Sequence, residues 1–236
     1  PFREESAAAF VSYILGNNQQ SRAIDISQSL TGGLDSIIQS YESNVNNSMV
    51  IASDRRKVES GGALETEVGE AASAISIGNK DVLLNIQGYE GIYDFGYEPW
   101  MLEKQEHLLQ ADEKFSAEIR EKFYIEVAEK ILNNAGISIE EIDRIIVADR
   151  QEKMGNRVKK RLGYKKEIEP SRIYKEVGYT GVSMPLLLLN EELYKVNPGD
   201  RILLLQSGSG VKGILFQVTD KVKTFQFEDT LMKQLD

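Results

Sequence analysis

The chain has 236 residues, enough for a substantial core in one large domain or two small ones. It contains no cysteine, which excludes disulfides, thiolate zinc sites and a cysteine nucleophile, and its single histidine, His107, leaves little for a metal cluster. The net charge of −9 argues against nucleic acid as the main partner. No apolar stretch is long enough to span a membrane. Together with the absence of cysteine, this leads us to expect a cytoplasmic protein, and we expect no metal or other cofactor.

The first part of the chain predicts alternating helices and strands. Apolar residues at helical spacing follow Glu4, and Gly16 ends this helix. We then predict a strand over 22–26, a helix over 30–45, a strand over 49–52, and two further strands over 72–77 and 82–93. A Gly78-Asn79 turn is expected to join the last two strands.

A similar order recurs later in the chain. We predict a helix over 118–133, a strand over 144–148, helices over 152–162 and 182–194, and paired strands over 201–206 and 214–218. This recurrence indicates an internal duplication of an α/β unit. We accordingly divide the chain into a first half, 1–93, an aromatic-rich insert, 94–115, and a second half, 116–236.

The two closing strands flank a glycine run, GSGVKG, whose spacing matches a dinucleotide-binding GxGxxG. That motif requires a helix to open at its last glycine, because the pyrophosphate lies on the N-terminus of the helix. The residues that follow here, ILFQV, are typical of a strand. The sequence therefore predicts a hairpin and not a cofactor site.

Two helices have unusual composition. The segment PLLLL, residues 185–189, is apolar all round, so its helix must be buried. The segment LTGGLDSII, which starts at Leu30, opens with a glycine pair that permits close helix packing or the close approach of a ligand. Buried helices between two sheets predict a layered α/β sandwich.

Four segments in order resemble the thiolase superfamily, specifically its branch of ketoacyl synthase III and 3-hydroxy-3-methylglutaryl-CoA synthase. They are RAIDISQSLTGGLDSI for the nucleophile turn, EVGEAASAISIG for the GDGAAA strand, EVGYTGVSMPLLLL for the GNTGAAS helix start, and NPGDRILLLQSGSGVKG for the closing strand and glycine loop. The resemblance implies a thiolase-like, five-layered αβαβα sandwich of two duplicated halves. It also implies acyltransferase chemistry on thioesters of CoA or acyl carrier protein.

This chain departs from the family in length and in chemistry. The family has a strand, helix and strand before the helix that starts here at Glu4, so we expect a first half that is N-terminally incomplete. The family's nucleophilic cysteine falls on Leu30, its histidine on Ala148, and the asparagine of GNTGAAS on Tyr179. Because these three side chains cannot perform the family's chemistry, we expect no catalytic residues at these vestigial positions.

A different alignment would offer a hydroxyl nucleophile. Ser29 and Thr31 flank Leu30, and Tyr179 or Asp149 would be the other chemical groups of a reassigned site. A serine nucleophile needs a neighbouring base, however, and His107 lies far from these motifs in the sequence. We favour an inert site in which Leu30 and Tyr179 fill the end of the pantetheine tunnel, with the Tyr179 hydroxyl hydrogen-bonded, most simply to the glycine loop.

The glycine loop Gly208, Ser209 and Gly210 is, by the same resemblance, the remnant of an oxyanion hole. In the family its backbone N–H groups lie beside the nucleophile. The alternative, that these glycines only permit a tight turn, has equal weight.

A cationic helix interrupts the acidic background. Seven of the fourteen residues over 153–166 are Lys or Arg, and Lys153, Arg157, Lys160 and Arg161 lie near one helical face. In ketoacyl synthase III the corresponding helix docks an acidic carrier protein, so this face is a candidate for binding CoA or acyl carrier protein. A solvated helix whose cations complement its dipole is the simpler interpretation.

The insert groups Tyr93, Phe95, Tyr97 and Trp100 close to Tyr89. Such a density of aromatic residues is typical of protein interfaces, although these residues could also cap the core. The insert resembles a YDFW-type segment of the 3-hydroxy-3-methylglutaryl branch, and we expect His107 on a surface helix.

The resemblance implies two functions. The first is a noncatalytic subunit, a pseudoenzyme, of a heteromeric acyl-CoA condensing complex. It would pair with a cysteine-bearing homologue, or with itself as a dimer, through the strand predicted over 22–26, and a zinc-ribbon and OB-fold protein would be a further partner. The alternative is an active acyltransferase or hydrolase of the ketoacyl synthase III or hydroxymethylglutaryl-CoA synthase type with a reassigned site.

Overall fold

The computed structural model describes residues 5–17, 20–27, 29–43, 45, 47–95, 98–110, 112–167 and 169–225. The helices are α1 Ala7–Ile14, α2 Gly32–Glu42, α3 Glu113–Ala135, α4 Glu152–Arg161, α5 Arg172–Glu176 and α6 Met184–Leu193. The strands are β1 Asn47–Arg55, β2 Glu70–Gly78, β3 Leu84–Ile92, β4 Arg144–Ala148, β5 Arg201–Gly208 and β6 Gly210–Val218. Except for the strand over 22–26 and the surface helix at His107, the predicted elements are present; β4 has the predicted ends, and the others are shifted by a few residues.

The larger sheet has four strands in the order β3-β6-β5-β4. β4 and β5 run parallel, whereas β5 and β6 form the predicted hairpin, with Gly208 opposite Gly210. β4 and β5 are buried on both faces, which explains their nearly continuous apolar sequence.

The smaller sheet pairs β1 with β2 in antiparallel register over their whole length. We expected β2 and β3 to be neighbours joined by a turn, but β3 pairs with β6 in the larger sheet. The turn at Gly78 therefore ends a strand without pairing it to the next. β3 instead lies beside β6, where its partly buried Leu84 and Ile86 pack against the core. β3 lies in the sheet of the second half, although the sequence division at residue 93 put it in the first.

Two helices lie between the sheets. α6 buries each residue from Met184 to Leu189, and α2 buries Gly32, Gly33, Leu34 and Ile37. α2 contacts β1, β2 and β6, while α6 contacts β2, β4 and β5. The prediction that these two segments form the central layer is confirmed.

α3 and α4 cover the outer face of the larger sheet. α3 begins at an Asp112 cap, whose carboxylate accepts the Phe115 N–H at 2.9 Å, and it ends at Gly136 in the left-handed conformation. Its buried face packs against β3, β5 and β6. The described elements thus stack in the order helix, sheet, helix, sheet, which accounts for four of the five predicted layers.

The outer face of the smaller sheet is exposed in the described part of the chain. Met49 and Ile51 on this face are 53% and 46% exposed to solvent, and none of the residues of α1 is buried. The strand that we predicted over 22–26 is wrong, since the structure assigns no strand there, and Ile24 and Ile26 are exposed. A strand forms only where a neighbouring strand accepts its hydrogen bonds, and the described residues supply none at this position.

Candidate functional site

The start of α2 and the glycine hairpin meet in space. A Cβ placed on Gly208 would lie 3.2 Å from the Leu30 Cβ and 2.8 Å from the Thr31 Cγ2. Gly33 is just as crowded, because its Cβ would lie 3.0 Å from the backbone oxygen of Val182. The structure therefore brings together Leu30 and the glycine loop, as predicted, and close packing accounts for these glycines.

Gly210 is required for a steric reason of its own. Its φ of +98° is one that other residues rarely adopt, and a Cβ on it would lie 1.9 Å from the Ile92 carbonyl oxygen. The neighbouring Ser209 is exposed, and its carbonyl oxygen accepts the Asp94 N–H at 3.4 Å. The hairpin thus contacts the end of β3 and the start of the insert at close range.

Ala148 ends β4 and is fully buried. Its carbonyl oxygen accepts the Tyr124 hydroxyl at 3.0 Å, and its backbone pairs with Gln206. The methyl side chain supplies neither an acid nor a base. The ionisable groups near this position come from the next residue and from other segments.

A buried charged network lies at the ends of β4 and β5. Arg120 of α3 donates to Asp149 at 3.0 Å and to Glu113 at 2.8 Å, and it lies 3.5 Å from Glu98. Arg120 is 2% exposed and Asp149 is completely buried. The Ser207 hydroxyl completes the network by contacting both Glu98 and Asp149.

The network changes the acidity of its members. Burial, and then the charge of Asp149, raise the pKa of Glu98 to about 7, although Arg120 acts in the opposite direction. Burial alone would lower the pKa of Arg120, but the charges of Asp149 and Glu98 outweigh it and raise that pKa. The arginine thus stays charged, whereas Glu98 titrates near neutrality.

Two further arginines extend the charged groups across the halves. Arg150, whose side chain is 2% exposed, pairs with Glu67 of the first half and with Glu113 of α3. Arg56, which follows β1, donates to the Pro99 carbonyl oxygen at 3.1 Å. Ion pairs and hydrogen bonds therefore link the first half, the insert and the second half in this region.

Tyr179 is completely buried beside this network. Its backbone N–H donates to the Glu67 carbonyl oxygen at 2.7 Å, and its own carbonyl accepts the Gly69 N–H at 2.9 Å. Burial raises the pKa of its phenol, followed by the charge of Glu98. The predicted hydrogen bond of its hydroxyl is wrong, because that oxygen has no partner among the described residues. The backbone position of Tyr179 is set by the Glu67 segment and not by the glycine loop.

Ser29 and Thr31 belong to a second hydrogen-bonded chain at the start of α2. Their hydroxyls lie 2.9 Å apart, and the Thr31 hydroxyl donates to Asp35 at 2.9 Å. Lys212 contacts the other Asp35 oxygen at 2.6 Å and lies over the Tyr93 ring, 4.1 Å from its centre. Both hydroxyls are therefore linked to a carboxylate, but a lysine neutralises that carboxylate.

The cationic face of α4 is partly paired. Arg157 and Arg161 both contact Glu121 of α3, the latter at 3.9 Å. Lys153 and Lys160 are exposed. Two of the four predicted docking cations thus bind α4 to α3, and two project into solvent.

The insert contacts the rest of the chain through Glu98, Pro99 and Leu108, whereas its aromatic residues are exposed. Glu98 is 9% exposed to solvent, whereas the exposed fractions of Tyr93, Phe95 and Trp100 are 75%, 90% and 38%. Tyr97 lies outside the described residues. His107 is exposed, but it lies in a bend, so the predicted surface helix is wrong.

Sequence reasoning missed Arg120, although a signal was present. Arg120 lies on the buried face of α3 together with Ala117, Tyr124, Val127 and Ile131, at intervals of three or four residues. A cation on such an apolar stripe requires buried carboxylates as partners. Among the described residues, no group of three or more His, Asp or Glu side chains is arranged to hold a metal ion, and none of the helices there has the length and hydropathy to cross a bilayer.

Comparison with known proteins agrees with this architecture. A family model described as 3-oxoacyl-[acyl-carrier-protein] synthase III, C terminal, matches residues 132–217. A hydroxymethylglutaryl-CoA synthase of Methanopyrus kandleri is 24% identical over an alignment that covers 99% of this chain and 69% of the relative. The chain is therefore similar to ketoacyl synthase III over residues 132–217 and to a hydroxymethylglutaryl-CoA synthase over nearly its whole length, in agreement with the resemblance seen in the sequence.

Solved structures of the same branch share the fold. A 3-hydroxy-3-methylglutaryl-CoA synthase complexed with CoA superposes with a TM-score of 0.83 at 14% identity, covering 98% of this chain. A 3-oxoacyl-[acyl-carrier-protein] synthase III from Aquifex aeolicus superposes with a TM-score of 0.75 at 19% identity, covering 92% of this chain and 73% of that one. This thiolase-like chain spans 65% of the length of the first of these structures.

Proposed function

We propose that this protein is a noncatalytic subunit of a heteromeric acyl-CoA condensing or acyltransferase complex. The observation that carries the proposal is the buried network of Arg120, Asp149, Glu98 and Ser207, which commits the ionisable groups near Ala148 to one another. A general base must be free to take a proton from a substrate. Asp149, enclosed by Arg120 and Ser207, is not.

The residue at the nucleophile position supports the same proposal. The family's chemistry starts with a thiolate at the N-terminus of the inner helix, where the helix dipole stabilises the negative charge. By the resemblance that position falls on Leu30, which lies against Gly208 and has no atom that can accept an acyl group. The scaffold of the site is thus retained without its attacking group.

A cysteine-bearing homologue is the partner that we propose for this chain. The alternative assembly is a dimer of the chain itself. A zinc-ribbon and OB-fold protein, CoA and acyl carrier protein are further proposed partners. The exposed aromatic residues Tyr93 and Phe95 and the exposed apolar residues of β1 provide contact surface outside the blocked site.

The experiment combines an assay of turnover with a search by mass spectrometry for an acyl group bound to the protein. The purified protein is incubated with acetyl-CoA and longer acyl-CoAs, thiol release is followed, and peptides are analysed by mass spectrometry for an oxygen ester on Ser29 or Thr31. We expect neither turnover nor an ester. Coexpression with a cysteine-bearing synthase from the same genome should give a stable complex by size-exclusion chromatography. Turnover by the isolated chain would overturn the proposal.

One observation favours the alternative, an active acyltransferase or hydrolase with a reassigned site. The Ser29 and Thr31 hydroxyls lie at the start of α2 and connect to Asp35, so an acyl ester could form where the family forms a thioester. Ser29→Ala and Thr31→Val would abolish any such turnover, whereas the exposed control Ser53→Ala would leave it unchanged.

A further inference from the structure

A cavity of about 520 Å³ lies beside β4, and its lining does not include Leu30, Ala148 or Tyr179. It is bounded by β4, by one face of α4 and by α6. The α4 residues that line it, Glu152, Gly155, Asn156 and Lys159, recur at intervals of three or four and therefore share one face. This face differs from the one that contains Arg157 and Arg161.

Lys159 is the unpaired cation of this cavity. Arg144 and Lys195 also line it, but both contact Glu192, at 3.5 and 3.3 Å. The side-chain amine of Lys159 has no hydrogen bond or ion pair within the described part of the chain, and the side chain is half-buried. Its amine therefore faces open space that a small molecule can enter.

The surroundings of Lys159 favour the neutral amine. Burial lowers the pKa of Lys159 to about 8, the charge of Arg144 adds to this effect, and Glu192 opposes it. An unperturbed lysine has a pKa of about 10.4 and is almost entirely protonated at neutral pH. At pH 7.5 roughly a quarter of Lys159 is the nucleophilic free base, on the basis of that lowered value.

We propose that Lys159 is an acylation site that accepts an acyl group from a small thioester bound in this cavity. The neutral Nζ attacks the thioester carbonyl carbon, a C–N bond forms, and the C–S bond breaks. The thiol departs with the electron pair of that bond, and the proton lost from nitrogen passes to water. The product is a neutral amide, which removes a half-buried charge. The choice of a thioester rests on the proposed function, whereas the reactivity of the amine does not.

Differential acetylation tests this site. The protein is treated with S-acetyl-N-acetylcysteamine at pH 7.5, and the acetylation rate of each lysine is determined by peptide mass spectrometry. Lys153 and Lys160 are exposed on the same helix and serve as internal references. We expect Lys159 to acetylate about tenfold faster than either, because far more of it is neutral. An equal or slower rate at Lys159 would overturn the proposal.

The pH profile and a variant show whether the fast acetylation is due to the lowered pKa of Lys159. The Lys159 rate should level off above about pH 8, whereas an ordinary lysine gains reactivity up to about pH 10. A Lys159 rate that rises without levelling would contradict the proposal. Lys159→Arg keeps the charge and should remove only this adduct. The amide resists hydroxylamine, whereas an ester on Ser29 or Thr31 is cleaved, so a failure here is distinguishable from a failure of the proposed function.

Discussion

Replacement of Arg120 by methionine should be among the most damaging single changes outside the apolar core. The guanidinium donates at 3.0 Å to Asp149 and at 2.8 Å to Glu113, and it lies 3.5 Å from Glu98. Hydrogen bonds to charged groups each contribute about 1.5–3 kcal/mol. Methionine fills similar volume but leaves the fully buried Asp149 without its cation.

We expect Arg120→Met to lower the free energy of unfolding by about 3–5 kcal/mol, the cost of breaking a buried pair by removing one partner. Urea denaturation followed by circular dichroism measures this loss. Lys130→Met on the same helix is the matched control, since it removes an exposed pair with Glu126 and should cost less than about 1 kcal/mol.

The dependence on pH distinguishes lost charge pairing from lost packing. At pH 5 Glu98 is protonated and needs no cation, so the loss caused by Arg120→Met should be smaller there than at pH 8. Packing losses would be the same at both values. A loss below about 1 kcal/mol at pH 8, or one that does not depend on pH, would refute the reasoning that the network is held by charge.

Four further outcomes follow from the structure. Leu30→Cys should gain no condensation activity in a thioester-consumption assay, and efficient turnover would show a competent site. Folding raises the pKa of Glu98 to about 7, so the native state binds a proton that the unfolded state has released. The wild-type free energy of unfolding should therefore fall by about 3 kcal/mol as pH rises from about 4.5 to 7. Glu98→Gln should remove this fall, as measured by urea titrations at several pH values. Gly210→Ala should cost at least about 2 kcal/mol more than Gly199→Ala, since both glycines have positive φ but only Gly210 is crowded; equal costs in urea denaturation would contradict this. Tyr179→Phe should be neutral or stabilise by up to about 1 kcal/mol, because its hydroxyl has no partner within the described chain; a loss above 1 kcal/mol would mean that the hydroxyl is hydrogen-bonded.

The sequence predicted those parts of the fold that local pattern determines. The apolar run from Met184 to Leu189 has no polar face to present to water, so an interior position was its only stable place. The spacing of Gly208 and Gly210 between two apolar runs gave the β5–β6 hairpin in its correct place. In each case the deciding residues lie within a few positions of one another.

Strand pairing and the charged network depend on residues far apart in the chain. β3 pairs with β6 although β2 is nearer in sequence, and its partly buried Leu84 and Ile86 pack against a core built from distant segments. Glu98 and Ser207 are 109 positions apart, and neither has an unusual neighbour in sequence. The position of Arg120 on an apolar stripe requires a buried partner, but the sequence analysis missed this residue, and no local rule identifies which carboxylates reach it.

The location of the network explains why this chain retains charge in its interior. Buried ion pairs add little net stability compared with well-packed apolar side chains. A buried charge without its partner is costly, however, so such pairs destabilise folds in which these segments are misplaced. Arg150 meets Glu67, and Arg56 meets the residue after Glu98, so the paired groups come from the first half, the insert and the second half. Displacing any of these segments would leave buried charges without partners. These contacts thus fix the halves relative to each other, which is the arrangement that the proposed noncatalytic role would require.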